Sequence, residues 1–213
     1  LHTRRFTPCL LHGVTGSGKT EVYLQAMETV LRQNGGALFL VPEIGLTPQL
    51  LGRIHERFPA EPIAVLHSGI ASAVRYDQWQ RIRRGDIRIV VGARSALFAP
   101  VHNLRLLIVD EEHDESYKQD DRMRYNARDL AIVKAQMNGA TVVLGSATPA
   151  LQTYHNVLTG RYDCFTLPTR VEERPLPRIE IADMRLPENG DGGKDQAPIF
   201  SRRLREALRE TLE

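Results

Sequence analysis

The sequence predicts an α/β fold, a mostly parallel sheet with helices on both faces. Three features carry that prediction. Short apolar runs rich in Val, Ile and Leu recur as far as Ser146, helical patterns fill the intervals, and a glycine-rich turn, GVTGSGKT, joins the first run to the first helical pattern. Runs that are apolar throughout belong to strands covered on both faces, and strands separated by helices pair in parallel. A chain of 213 residues, 42% of them hydrophobic, is long enough to bury a sizeable core.

In chain order the strand runs are PCLLHG, GALFLVP, PIAVLHSG, DIRIVVG, RLLIVDE and ATVVLGS. The segments Glu21 to Gln33, Thr47 to Phe58 and Asn126 to Asn138 read as crossover helices. After Pro149 the pattern predicts a helix over Ala150 to Leu158 and a strand over Asp163 to Leu167. The Pro-, Gly- and charge-rich stretch from Pro187 to Pro198 reads as a flexible connector. The closing IFSRRLREALRETLE opens at Ser201 and repeats Leu204, Leu208 and Leu212 four apart, as an amphipathic helix does. The expected organisation is one lobe over 1–185, a linker over 186–198 and a helix over 199–213.

A formal charge of +2 is too mild to announce nucleic acid, so any basic surface is local. Cys9 and Cys164 stand apart, with no CxxC or His/Cys cluster for a metal, which points to a reducing, cytoplasmic compartment. No apolar run approaches the roughly 18 residues of a membrane span, and the opening LHTRRFTPCLLHG lacks the pattern of a secretory signal. No membrane association is expected.

The turn Gly13 to Thr20 fits G-x-x-x-x-G-K-[ST] in full and lies between a strand and a helix, as phosphate binding requires. Its residues Gly13, Thr15, Gly16, Ser17, Gly18, Lys19 and Thr20 form the candidate nucleotide site. The glycines let successive N–H groups surround phosphate oxygens, Lys19 neutralises the β and γ phosphates, and Thr20 offers its hydroxyl to Mg2+. A second carboxylate is needed at the carboxyl end of a parallel strand, and RLLIVDEEH supplies it. Asp110 follows the apolar run and is the candidate metal residue with Thr20; Glu111 is placed to orient or deprotonate the attacking water. No N-K-x-D run reads guanine, so ATP is the expected nucleotide.

With the GSAT of Gly145 to Thr148, the phosphate loop and DEEH box resemble motifs I, II and III of superfamily 2 helicases. More specifically, VPEIGLTPQL, LHSG, GARSALFAP, DEEHDESYKQ and GSATPAL, in this order, resemble the bacterial primosomal replication-restart helicases over nearly all of residues 10 to 185. The resemblance implies the first of two RecA-like lobes and ATP-driven 3′ to 5′ movement on DNA at stalled forks. It implies DNA forks and single-stranded DNA as partners, with primosome proteins and single-stranded DNA-binding protein, and a monomer. It places the catalytic arginines on a second lobe, zinc-binding cysteines beyond Glu213, and an adenine-reading glutamine motif upstream. The chain alone is therefore expected to bind nucleotide weakly and to turn over negligibly.

A helicase must connect its nucleotide to its DNA, and His113, Ser146 and Thr148 are the candidate bridge; the plainer alternative is that they finish a turn and a strand. Thr47 and Arg94 follow strand ends on the same sheet edge and are candidate phosphate contacts. The segment Tyr117 to Arg128 resembles the family's aromatic-rich, DNA-sensing loop, with Tyr117 and Tyr125 as candidate base-stacking rings and Arg124 beside them. Met123 and Asn126 depart from that pattern, and an ordinary irregular loop is the alternative. Two other readings of the whole chain stand: another DNA translocase of the same superfamily, acting in repair or recombination, and a non-catalytic interaction module.

Overall fold

The structure, a computed structural model, describes residues 6–121, 123–171, 179–183 and 200–212. Two compact units divide the chain, Leu1–Glu173 and Arg174–Glu213. In the first, β1 (Thr7–Gly13), α1 (Lys19–Arg32), β2 (Gly36–Leu40), α2 (Pro48–Arg57), β3 (Ile63–Leu66), α3 (Ser72–Arg84), β4 (Ile89–Gly92) and β5 (Leu104–Val109) follow one another. A two-stranded antiparallel hairpin, β6 (Lys118–Gln119) and β7 (Tyr125–Asn126), precedes α4 (Ala127–Asn138), β8 (Thr141–Ser146), α5 (Leu151–Leu158) and β9 (Asp163–Leu167).

Seven strands form one sheet in the order β3-β4-β2-β5-β8-β1-β9, and every pairing in it is parallel. Alternate residues of each strand enter different cores. Leu38, Leu40, Leu107, Val109, Val142 and Leu144 pack with Ala127, Ala131 and Ala135 of α4. Ala37, Phe39, Leu106 and Ile108 pack with Tyr23, Leu24, Met27 and Val30 of α1 and with Ile54 of α2. Both faces being covered is why these strands are apolar throughout. Only the edge strand β9 is largely exposed.

Element ends shift by a residue or two for local reasons. Gly18, at φ +89, turns the chain so that α1 already begins at Lys19. Thr47 and Asn126 cap their helices from outside, their side-chain oxygens accepting from Leu50 N at 3.2 Å and Arg128 N at 2.9 Å. Helix α3 escapes sequence reading because it buries only Ile82 and leaves no apolar stripe. The expected linker over 186–198 lies outside the described residues.

In the second unit α6 (Arg202–Leu212) is capped by the Ser201 hydroxyl, which accepts from Leu204 N at 3.1 Å. Arg202 pairs with Glu206 along the helix and Arg203 with Glu180. Among the described residues no helix is long and apolar enough to cross a membrane.

Candidate functional site

Because the sheet strands run in parallel, their carboxyl ends share one edge, and the loops bearing Gly13 to Thr20, Thr47, Arg94, Asp110 to His113 and Ser146 to Thr148 all leave from it. The phosphate loop closes through Ser17 N to Val14 O at 3.0 Å, with Gly16 at φ +81 and Gly18 at φ +89. No side chain caps α1; in its first turn Glu21 N donates to Gly18 O at 3.0 Å, while the amides before it have no side-chain acceptor among the described residues. Lys19 is buried; its Nζ donates to Gly13 O at 2.8 Å and lies 3.6 Å from Glu111 Oε1. Ser17 Oγ is buried with no hydrogen-bond partner among the described residues. A buried hydroxyl and a set of uncapped amides are what an oxyanion would satisfy.

Asp110 leaves the end of β5, and its Oδ1 accepts from the Tyr23 hydroxyl at 2.9 Å. Burial pushes the Asp110 carboxyl above its ordinary range; the Tyr23 hydrogen bond opposes that, and the Glu111 charge adds to it. Tyr23 itself is raised well above its usual value by burial and by the Asp110 charge, so it stays a donor. The fit around this hydroxyl is close: a Cβ added to Gly145 would stand 1.6 Å from Tyr23 Oη. The next residue, Glu111, sits at φ +45, a conformation non-glycine residues seldom adopt, and this aims its carboxylate at Lys19.

Glu112 and His113 carry the strand end over to β8 and α5. Glu112 N donates to Gly145 O at 3.0 Å. Its buried carboxylate accepts from Ala150 N at 2.6 Å, Thr153 Oγ1 at 2.8 Å and Arg128 Nη1 at 3.4 Å. Arg128 also donates to Gln152 Oε1 at 2.8 Å, so the start of α4 and the start of α5 are tied through one ion pair. His113 Nδ1 pairs with Ser146 Oγ at 2.8 Å and lies 3.7 Å from Glu111 Oε2, while Thr148 Oγ1 stands 3.4 Å from Nε2. The three candidate bridging residues are thus contiguous with each other and with Glu111.

The candidate DNA residues fare differently. Tyr117 is 1% exposed, its ring in the core and its hydroxyl donating to Asp110 O at 2.7 Å, so no face of it is open to a base. That corrects the expectation of stacking: the residue two positions after the end of the acidic turn is drawn inward to the core that includes Ala127, Ala131 and Ala135 of α4. Tyr125 is half-buried and meets Phe98 edge-on at 5.4 Å, and Arg124 beside it is exposed. Arg94 donates to Ser116 O at 3.1 Å and also to Lys118 O, bracing the segment before β6. The Thr47 oxygen is engaged as the α2 cap.

Sequence analysis does not single out Tyr23 or Arg128. Tyr23 had a signal: it lies four residues after Lys19 and so shares its helix face. Arg128 had none, since its partner lies 16 residues away across a hairpin. Among the described residues no group of three or more His, Cys, Asp or Glu is arranged to hold a metal. One carboxylate, one hydroxyl and phosphate oxygens are the donor set Mg2+ takes, so Thr20 and Asp110 fit that ion.

The chain matches the DEAD/DEAH box helicase family over residues 4–157. It is 48% identical over 203 residues to the replication restart protein PriA of Bacillus subtilis, covering 95% of this chain and 25% of that protein. It is 49% identical over 180 residues to the PriA of Haemophilus influenzae, covering 84% and 24%. The chain thus spans about a quarter of the length of these curated relatives. Among solved structures it is similar to RecG bound to a three-way DNA junction, with TM-score 0.54 and 28% identity over 81% of this chain and 22% of that one. A hypothetical ATP-dependent RNA helicase from Sulfolobus tokodaii shares the fold, with TM-score 0.55 and 20% identity over 75% of this chain and 48% of that one. With a phosphate loop, a DEEH turn and a Ser-Ala-Thr turn meeting at one sheet edge and the family's pattern running through most of its length, the chain belongs to the DEAD/DEAH box helicases.

Proposed function

We propose that this chain is the first of two RecA-like lobes, 1–185, of an ATP-dependent DNA helicase that restarts replication at stalled forks. In this reading 186–198 is a linker and 199–213 the helix leading to a second lobe. The observation that supports it most is the contiguity of Lys19, Glu111, His113, Ser146 and Thr148, which joins a nucleotide site to the loops beside it. Similarity to proteins named for replication restart, at 48% and 49% identity, supports the replication-restart role; 3′ to 5′ polarity and a cytoplasmic setting belong to the reading through the motif resemblance alone.

In this mechanism the amides of Gly16 to Thr20 bind the phosphates and Lys19 neutralises them. Thr20 and Asp110 would hold a magnesium ion, which would supply charge neutralisation at the phosphate oxygens. Glu111 orients the attacking water and takes its proton. A change at Glu111 reaches His113, and through Ser146 and Thr148 the loops at the sheet edge. Arg124 and Tyr125 contact single-stranded DNA, and Arg94 supports them by holding the carbonyls of Ser116 and Lys118. A second lobe supplies the arginines that complete hydrolysis, worth about 10³ to 10⁵ in rate in related nucleotide hydrolases. Zinc, primosome proteins and single-stranded DNA-binding protein are assigned to the rest of such a protein. The test is magnesium-dependent ATP binding to this chain, abolished by Lys19→Ala; binding that survives that substitution rejects the nucleotide site.

A further inference from the structure

Beyond β9 the chain lies along the phosphate loop. Register pairs Gly13 of β1 with Leu167 of β9, so the two strands end together and the residues after each emerge side by side. Val171 N then donates to Gly16 O at 3.0 Å, fastening the segment after β9 to the outer side of the loop. The contact is close along its length: Cβ atoms built on Gly13 and Gly18 would meet Leu167 Cβ at 3.1 Å and Val171 Cγ2 at 3.2 Å. Between these anchors stands Arg170, its Cγ 4.0 Å from the place a Cβ on Gly16 would occupy. Arg170 is exposed and, among the described residues, has no hydrogen-bond or ion-pair partner.

The position of this guanidinium follows from strand order. Asp110 and Glu111 rise from β5, on one side of β1, and β9 is the edge strand on the other side. Lys19 reaches toward Glu111, so the reactive end of a bound triphosphate belongs on the β5 side. A nucleotide laid across the loop with its γ-phosphate there directs its nucleoside toward β9, where Arg170 is held. A planar guanidinium on a fastened backbone suits the face of a purine.

We infer that Arg170, presented by the segment fastened to Gly16, stacks on the base of the bound nucleotide and is a binding residue of the site. The inference rests on the nucleotide-binding reading above. It assigns base contact to a part of the sequence well away from the phosphate-loop motif.

The test is calorimetric titration of the 213-residue chain with MgATP and with magnesium tripolyphosphate, which has the phosphates but no nucleoside. Arg170→Ala and Arg170→Lys are each expected to weaken MgATP binding about tenfold and to leave tripolyphosphate binding unchanged, because an ammonium keeps the charge but not the plane. Lys19→Ala weakens both ligands. Unchanged MgATP binding in Arg170→Ala overturns the inference. So does an equal loss for both ligands that Arg170→Lys restores, which would make Arg170 a phosphate contact. If Lys19→Ala weakens neither ligand, the nucleotide site itself is lost and the inference with it.

Discussion

Glu112→Ala is the substitution whose cost the structure specifies most fully. The Glu112 side chain is 0% exposed and that of Arg128 9%. Truncation takes the buried one of two carboxylates from Arg128, which keeps Asp129 at 2.9 Å and Gln152 at 2.8 Å, and leaves the Ala150 amide at the start of α5 without an acceptor and the Thr153 hydroxyl without a partner. Two buried donors left unsatisfied, at about 1–3 kcal/mol each, together with a weakened buried ion pair, cost about 3–5 kcal/mol, a large share of the roughly 5–15 kcal/mol that holds a domain folded. With a urea dependence near 2 kcal/mol per molar, the midpoint should fall by about 1.5–2.5 M. Glu112→Gln keeps an oxygen for Ala150 N–H but loses the charge, and should fall between the two. The assay is urea unfolding followed by far-UV circular dichroism. A midpoint for Glu112→Ala within about 0.3 M of the parent would refute the claim that this pair ties α4 to α5.

Gly145→Ala brings a methyl against Tyr23 Oη and should destabilise by about 1–3 kcal/mol. Adding Tyr23→Phe removes the obstructing hydroxyl, so the double variant should recover part of the loss, and strict additivity in the cycle would argue against the contact. Burial pushes the Lys134 ammonium down to about 8, although the carbonyls of Leu97 and Ala99 accept from it at 2.6 and 2.7 Å. Its folded value being the lower, the unfolded chain holds more protons between about 8 and 10.5, and stability contributed by this group rises with pH in that window. Relative to Lys134→Met, the parent should gain stability between pH 8 and pH 10; parallel curves would count against the burial argument. Burial raises the Cys9 thiol to about 12 while Cys164 is exposed, so a thiol reagent at pH 8 should modify one cysteine in the folded chain and two in denaturant.

What could be read in the sequence was what short spacing determines. In Gly13 to Thr20 the covalent order of glycines, lysine and threonine fixes the loop, and in RLLIVDEEH an apolar run fixes where Asp110 emerges. The starts of α2 and α4 moved by one residue because Thr47 and Asn126 cap those helices from outside. Tyr117 misled because its burial depends on a place in the core and on the Asp110 carbonyl that accepts from its hydroxyl, contacts no local pattern records. Arg128 was hidden for a related reason: in sequence it is one more arginine in a mixed-charge loop, and only the fold brings it to Glu112. Helix α3 had no apolar period to betray it.

The proposed function requires a nucleotide site on this chain whose turnover is completed by a second lobe and driven by DNA. ATP hydrolysis should therefore be measured, with and without single-stranded DNA, for this chain alone and for the chain joined to a second RecA-like lobe. Hydrolysis should be negligible for the chain alone; in the joined protein single-stranded DNA should stimulate turnover, and Arg124→Ala with Tyr125→Ala should uncouple the two while ATP binding is spared. DNA-stimulated hydrolysis by this chain alone at the rate of the joined protein would contradict the proposed function.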